Sequence, residues 1–353
     1  MLSYHSGGIP VMNKRKPRRC YIILTIIPVV IAAVIPAFFL YRYKISHVTE
    51  FIAFSEPADD AGFTDDEPEE AGRNPFSDLS VPTYLTKVDD TYFLVDCYHN
   101  QVIYHDNLID PLSQWHVMTD KIDRGHTLAS DGLVYLIDDT ENNRILIFEK
   151  KNGRFLHTQT FSDIGNRPHY IIYDEQTKTF YAWSSMSGEM YLFRHEPEDT
   201  RMYLAAVRKI DALDNVYVRS FTIQDDIVYF VSGNSSIIRA DLNTFEILDV
   251  FPVPDSMAGM IQLTQIQDYF YITISTDIAG NQDYATIIRT KDLSGLMDGK
   301  YEDIYEHFIG GGTPYYITMI DNEWYLTEHR IPGHAVWRFR VKDNEITDVE
   351  AVY

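Results

Sequence analysis

Residues 134–148 read VYLIDDTENNRILIF, in which two apolar, β-branched runs flank the polar tip DDTENNR. Such runs favour β-strands, and a short tip rich in Asp and Asn is typical of the turn in a β-hairpin. The stretch therefore predicts two antiparallel strands joined by a tight turn. Whether related hairpins recur along the chain then decides the architecture.

The hairpin pattern occurs six times after residue 80, each time with a tyrosine at the second position of its first run. The tyrosines are Tyr92, Tyr135, Tyr181, Tyr229, Tyr271 and Tyr325. Their spacings of 43, 46, 48, 42 and 54 residues match the period of about 40–50 residues that is typical of four-stranded propeller blades. The sequence thus predicts an all-β fold, a six-bladed β-propeller over residues 80–353. The alternative, an all-β sandwich, would not return its strands at so long and even an interval.

The turns of the first two predicted blades share a motif. DCYHNQV (96–102) and DTENNRI (139–145) both follow D-x-x-x-N-[QR]-[VI], which resembles the NHL repeat. The resemblance implies a propeller, and it extends to the later blades only in shape. The motif residues are interpreted as structural, because Asp accepts turn N–H bonds, Asn tolerates the left-handed conformation and Arg can bind a carboxylate. They are Asp96, Asn100, Asp139, Asn143 and Arg144.

An uncharged segment near the N-terminus predicts a membrane anchor. Residues 21–40 read YIILTIIPVVIAAVIPAFFL, long enough to span a bilayer of about 30 Å. Five basic residues precede it and two follow, which places the N-terminus in the cytoplasm and the rest outside. The predicted organisation is a basic tail (1–20), a single-pass transmembrane anchor (21–41), a disordered acidic stalk that acts as a flexible spacer (42–79) and the extracytoplasmic propeller. A cleaved signal peptide is the alternative, and either Met1 or Met12 is the start.

The charge of the chain excludes one class of partner. Residues 1–44 hold seven Lys and Arg and no Asp or Glu, so residues 45–353 carry 23 basic and 52 acidic side chains. A domain of this charge repels nucleic acid and anionic headgroups. No nucleic-acid partner is therefore expected, and the membrane contact is limited to the anchor.

Polar residues precede each predicted inner strand and are expected to form a ring around the central funnel. The ring is Thr83, His126, His169, Ser220, Gln262 and Tyr315, flanked by Arg124, Arg167 and Arg219. Such groups can hydrogen-bond an oxygen-rich ligand, for example a glycan or a group on another envelope protein. The alternative is that they only satisfy one another or water.

The two ring histidines raise the question of a metal. His126 and His169 lie on adjacent predicted blades, and an axial His-bound zinc is known in peptidyl-α-hydroxyglycine α-amidating lyase, an NHL-type propeller. A zinc site usually needs a third protein ligand, and the ring supplies none, so no cofactor is assigned. His126 and His169 remain the candidate ligands of a divalent metal. No G-x-S-x-G motif occurs either.

These observations rank three functions. A membrane-anchored binding module for a glycan or envelope protein comes first, without catalysis. A metal-dependent lyase or hydrolase in the funnel comes second, and a structural partner in a membrane complex third. The last would expose an apolar patch on a blade edge.

Overall fold

Six antiparallel sheets, four of them with four strands and two with five, make up most of the protein in a computed structural model that describes residues 48–54, 56–57 and 72–353. Two short strands come first, β1 (Val48–Phe54) and β2 (Glu56–Pro57). Blade 1 contains β3 (Pro82–Val88), β4 (Thr91–Asp96), β5 (Gln101–His105) and β6 (His116–Thr119). Blade 2 contains β7 (Leu128–Ser130), β8 (Val134–Asp139), β9 (Arg144–Lys151) and β10 (Arg154–Phe161). Blade 3 contains β11 (Pro168–Asp174), β12 (Thr179–Ser184), β13 (Glu189–Glu196) and β14 (Asp199–Lys209). Blade 4 contains β15 (Val218–Gln224), β16 (Ile227–Ser232), β17 (Ser236–Asp241) and β18 (Ile247–Pro252). Blade 5 contains β19 (Met260–Ile266), β20 (Tyr269–Ile274), β21 (Thr286–Thr290) and β22 (Glu302–Asp303). Blade 6 contains β23 (Thr313–Ile320), β24 (Glu323–His329), β25 (Val336–Lys342) and β26 (Glu345–Ala351).

The helices of the described residues are all short 3₁₀ turns. They are Cys97–His99, Leu112–Gln114, Thr140–Asn142, Asp211–Leu213, Asp255–Met257, Gln282–Tyr284, Leu293–Asp298 and Tyr305–His307. Among these residues no helix is long and apolar enough to cross a membrane. The predicted anchor at 21–41 lies outside the described residues and stays a prediction.

The prediction of an all-β, six-bladed propeller is confirmed, and the tyrosine register is the reason it could be made. Each of the six tyrosines lies in the second strand of its blade, opposite the innermost strand. Tyr92 is paired with Lys87 in blade 1, and Tyr271 with Thr264 in blade 5. The repeated residue therefore marks the same place in successive sheets.

The acidic segment before the propeller contributes strands to two sheets. β1 lies beside β14 at the outer edge of blade 3, and β2 pairs with β10 at the outer edge of blade 2. Arg73 also forms a bridge with His116 in the outermost strand of blade 1. Parts of the predicted stalk (42–79) are thus strands on blade edges, while the domain boundaries themselves stay a prediction.

Apolar side chains fill each junction between neighbouring blades. The aromatic and branched residues of the strands point into these junctions and form six clusters, one for each pair of blades around the ring. At the junction of blades 2 and 3 an ion pair is added, with His195 Nε2 2.6 Å from Asp131 Oδ2. Burial lowers the pKa of His195, but the hydrogen bonds to Asp131 and to the Glu196 and Asp199 carbonyls, together with the charge of Asp131, outweigh it and the net shift is upward.

Ring closure joins blade 6 to blade 1 without any exchange of strands. Blade 1 and blade 6 are each one continuous stretch of chain, so side chains and the last residues make the junction. Thr318 Oγ1 donates to the Leu85 carbonyl at 2.8 Å, and the ring of Tyr353 contacts the buried Trp115, whose Nε1 donates to the tyrosine hydroxyl at 3.0 Å. The closure therefore depends on residues more than 230 positions apart.

A continuous belt of hydrogen bonds runs around the inner strands, with at least one bond from a side chain to the backbone of the next blade at every junction. We call this set the interblade belt. Its bonds run from Thr83 to the His126 carbonyl (2.8 Å), Thr140 to Pro168 (2.7 Å), His169 to Arg219 (3.0 Å), Ser220 to Ile261 (2.5 Å), Gln262 to Ile317 (3.1 Å) and Thr327 to Thr83 (2.7 Å). Because an innermost strand has no strand partner on one side, the belt satisfies backbone groups that would otherwise be buried and unpaired.

Aromatic rings close the axis below the funnel. Tyr84, Tyr170 and Tyr316 come from the inner strands of blades 1, 3 and 6, and their rings contact one another with centroid separations of 4.9 to 6.4 Å. Rings from such distant blades can meet only at the axis. The funnel is therefore blind and ends on this aromatic floor.

Candidate functional site

A cavity of about 190 Å³ lies at the mouth of the funnel. The residues preceding the inner strands and the turns that follow the second strands line it, because both sets lie on the same face of the propeller. Arg124, Arg167 and Arg219 contribute from the blade 2, 3 and 4 side. Thr276, Gln282, Tyr315 and His329 contribute from the blade 5 and 6 side. One half of the wall is cationic and the other half is polar.

The motif asparagines hold two of the arginines in place. Asn100 Oδ1 accepts the backbone N–H of Arg124 at 3.1 Å, and Asn143 Oδ1 accepts that of Arg167 at 2.8 Å. Both arginines have positive φ angles, 55° and 63°, which a residue with a Cβ adopts only where neighbouring contacts fix it. The turn of one blade thus sets the backbone of the arginine on the next blade.

A single carboxylate faces these arginines. Glu141 Oε1 lies 2.9 Å from Arg167 Nη1 and 3.7 Å from Arg124 Nη1. Arg219 has no carboxylate partner among the described residues, and its guanidinium lies over the ring of Tyr217, 4.6 Å from the centroid. Three cations against one facing carboxylate leave the mouth of the funnel positive, although the domain as a whole is acidic.

The two ring histidines stack on each other. Their centroids are 3.7 Å apart with nearly parallel planes. His169 donates from Nδ1 to the Arg219 carbonyl, and its Nε2 accepts from the Tyr217 hydroxyl at 3.2 Å. Burial, followed by the electrostatic influence of His126 and of Arg219 and Arg167, holds the pKa of His169 well below its usual value. His169 is therefore a neutral, fully engaged side chain under the cavity.

The other ring histidine has a similar set of neighbours. His126 Nδ1 is 2.9 Å from Thr140 Oγ1, and its Nε2 is 3.8 Å from the buried Cys97 Sγ. Within the described residues no group of three or more His, Cys, Asp or Glu is arranged to hold a metal ion. The divalent metal considered for His126 and His169 stays a prediction.

The predicted ring divides into two groups. Thr83, His169, Ser220 and Gln262 are buried in the interblade belt and do not line the cavity. His126, Tyr315 and the arginines Arg124, Arg167 and Arg219 do line it. The ring therefore supplies blade-to-blade bonds at its lower level and the cavity wall at its upper level.

Several site residues were not singled out from the sequence. Glu141, Tyr217, Gln282, Thr276 and His329 are among them. Tyr217 lies two residues before Arg219, and Glu141 lies inside the DTENNRI turn. Proximity to the predicted ring was thus a usable signal for these two residues.

The remaining motif residues make local contacts. Asp96 Oδ1 accepts the backbone N–H groups of Ser80 and Val81 at 3.0 and 3.1 Å. Asp139 accepts the N–H of Asp123 at 2.7 Å and pairs with the Arg144 guanidinium. Each aspartate thus ties the turn after a second strand to the segment leading into an inner strand.

Comparisons with known proteins identify the fold and nothing finer. No family model and no curated protein matches this chain, so the NHL-repeat resemblance stays a prediction. Streptogramin B lyase is similar over 79% of this chain and 85% of its own, with 18% identity and a TM-score of 0.52. A protein provisionally described as a 6-phosphogluconolactonase from Bacteroides uniformis is similar over 74% and 82%, with 11% identity and a TM-score of 0.54. Saccharomyces cerevisiae Sqt1 is similar over 79% and 88%, with 9% identity and a TM-score of 0.53.

Proposed function

We propose that this chain is a membrane-anchored, extracytoplasmic binding module whose propeller captures a small anionic ligand, such as the charged group of a surface glycan, at the mouth of its funnel. One observation carries the proposal. Three arginines line a blind cavity and only one carboxylate faces them. Guanidinium groups bind carboxylate and phosphate oxygens with paired hydrogen bonds, and partial desolvation strengthens such contacts.

The anchor and the location outside the cytoplasm rest on the uncharged segment at 21–40 and on the basic residues before it. An acidic propeller on a stalk would repel an anionic surface in general. A positive cavity would then take only ligands small enough to enter the funnel. The negative net charge of the domain would exclude large anionic surfaces, and the arginines would bind the small anion that enters the cavity.

Titration calorimetry on the full chain in detergent micelles tests the proposal, with acetate and inorganic phosphate as probes at constant ionic strength. Arg219→Gln should weaken the binding of both anions about tenfold, because it removes a guanidinium with no carboxylate partner among the described residues. Arg239→Gln is the matched control, since Arg239 is in the same blade but pairs with Asp249 on the outer strands. Equal affinity in the two variants and the parent chain would contradict the proposal.

A second candidate function, a structural partner in a membrane complex, is favoured by the outermost strand of blade 4. Ile247, Leu248 and Val250 of β18 are exposed, and an apolar strand at a sheet edge can pair with another chain. Cross-linking in intact cells tests it. Leu248→Lys combined with Val250→Lys should remove a cross-linked species, and an unchanged pattern would exclude this edge.

A further inference from the structure

The geometry points to an acidic monosaccharide, a uronic acid unit, as the ligand of the funnel cavity. This inference rests on the proposed function and deepens it, because it adds a second recognition element to the anion site. The arginines explain only how the anionic end of the ligand is bound. The opposite wall of the same cavity, from blades 5 and 6, determines what the other end must be.

That opposite wall carries neutral hydrogen-bonding groups and no ion pair among the described residues. The Tyr315 side chain is only 8% exposed, lines the cavity, and its hydroxyl makes no hydrogen bond within the described part of the chain. Because the hydroxyl lies at the cavity and has no protein partner there, a ligand hydroxyl can bind it in place of water. Burial also raises the pKa of Tyr315 well above its usual value, which keeps the hydroxyl protonated as a donor.

His329 and Gln282 complete the neutral wall. Burial and the nearby Arg330 lower the pKa of His329 to about 4, so its imidazole is uncharged at neutral pH and can both donate and accept. Gln282 reaches the cavity from the 3₁₀ turn of blade 5. Groups of this kind hydrogen-bond to hydroxyls and carry no positive charge to neutralise a second anionic group.

The charge balance accommodates one carboxylate. Three arginines line the cavity and the single carboxylate of Glu141 faces them, whereas Asp138 is turned toward the backbone N–H groups of His126 and Thr127. The formal excess is two positive charges, so a singly charged ligand carboxylate enters without making the cavity negative. The cavity of about 190 Å³ has space for a single sugar ring. A carboxylate and several hydroxyls on one ring describe a uronic acid.

Calorimetry on the full chain in detergent micelles separates the two ends. The probes are D-glucuronate, D-galacturonate, D-glucose, acetate and inorganic phosphate at constant ionic strength. The better of the two uronates should bind at least tenfold more tightly than acetate, phosphate or glucose. Tyr315→Phe, which removes only the hydroxyl, should weaken uronate binding about fivefold to tenfold and leave acetate binding unchanged. Tyr284→Phe, at an exposed tyrosine, is the matched control and should change neither.

The failure of this inference is distinguishable from the failure of the proposed function. If acetate or phosphate binds as tightly as both uronates and Arg219→Gln still weakens it, the anion site stands and the sugar assignment is overturned. The same holds if Tyr315→Phe weakens acetate and uronate equally. If none of the anions binds, both the proposed function and this inference are wrong.

Discussion

The interblade belt should be a main source of stability in this propeller, and Gln262 offers the sharpest test. Its side chain is buried at the junction of blades 5 and 6. Oε1 accepts the backbone N–H of Ile317 at 2.7 Å, and Nε2 donates to the Ile317 carbonyl at 3.1 Å. Ile317 belongs to the innermost strand of blade 6, so no neighbouring strand is available to replace these bonds. Gln262→Met keeps the length of the side chain and removes both of them.

The expected loss follows from the two backbone groups left behind. Each buried, unpaired group costs about 1–3 kcal/mol, so the variant should lose about 2–6 kcal/mol of unfolding free energy. At about 2 °C per kcal/mol for a domain of this size, the midpoint of thermal unfolding should fall by about 4–12 °C. Circular dichroism at the β-sheet wavelength, recorded on the full chain in detergent micelles, measures this midpoint.

Gln265→Met is the matched control. Gln265 lies in the same strand but is exposed and bonds only to the Gln267 carbonyl in its own turn. Exposed substitutions of this kind usually change stability by no more than about 0.5 kcal/mol, so its midpoint should stay within about 1 °C of the parent chain. If the thermal midpoint of Gln262→Met also stays within about 1 °C of that of the parent chain, the belt does not stabilise the ring and the reasoning is refuted.

Three further predictions concern the site and the junctions. Glu141→Gln should tighten acetate binding about fivefold in calorimetry, because it removes about 1 kcal/mol of competing carboxylate interaction, whereas Glu149→Gln, remote from the funnel, should have no effect. Tyr353→Phe should cost about 1–3 kcal/mol at the closing junction, seen as a lower urea midpoint, and an unchanged midpoint would contradict a role in closure. The raised pKa of His195 means that its ion pair with Asp131 stabilises fully below pH 6.5 and is lost as pH rises through the raised value. The difference in thermal midpoint between the parent chain and His195→Gln should therefore be largest at pH 6 and shrink toward pH 9; a constant difference would exclude the pair as the cause.

The blade count could be predicted because one residue repeats in one structural place. A tyrosine in the second strand of every blade is a periodic signal, and it needs no knowledge of the strands between. The same periodicity places polar residues ahead of each inner strand. Sequence periodicity was sufficient for the architecture and for the general position of the funnel.

The level of each ring residue along the axis could not be predicted. Irregular pairing between the first and second strands of blades 1, 3, 4, 5 and 6 changes how many residues precede the first regular pair. His169 falls at such an irregularity and lies beneath the cavity, while Tyr315 lies at its wall. A count back from the tyrosines gives an error of one residue, and one residue decides which side of the strand a side chain takes.

The extra strands at 48–57 were hidden for a different reason. Acidic composition and prolines favour a spacer when a segment is considered alone, but an edge strand needs only backbone hydrogen bonds from its neighbour. The outer strands of blades 2 and 3 supply those bonds. The amino-acid composition of a segment does not indicate whether an unpaired sheet edge lies next to it in the folded protein.

Because no strand is exchanged between the first and last blades, the order of synthesis matters for this protein. Leu85, Leu94 and Trp115 of blade 1 are made early, yet their apolar partners Ile320 and Tyr325 are translated only after more than two hundred further residues. A nascent chain therefore carries an uncovered apolar face for most of its translation. Products that stop before blade 6 would keep that face exposed, which makes them substrates for chaperones and proteases, while a completed chain covers it.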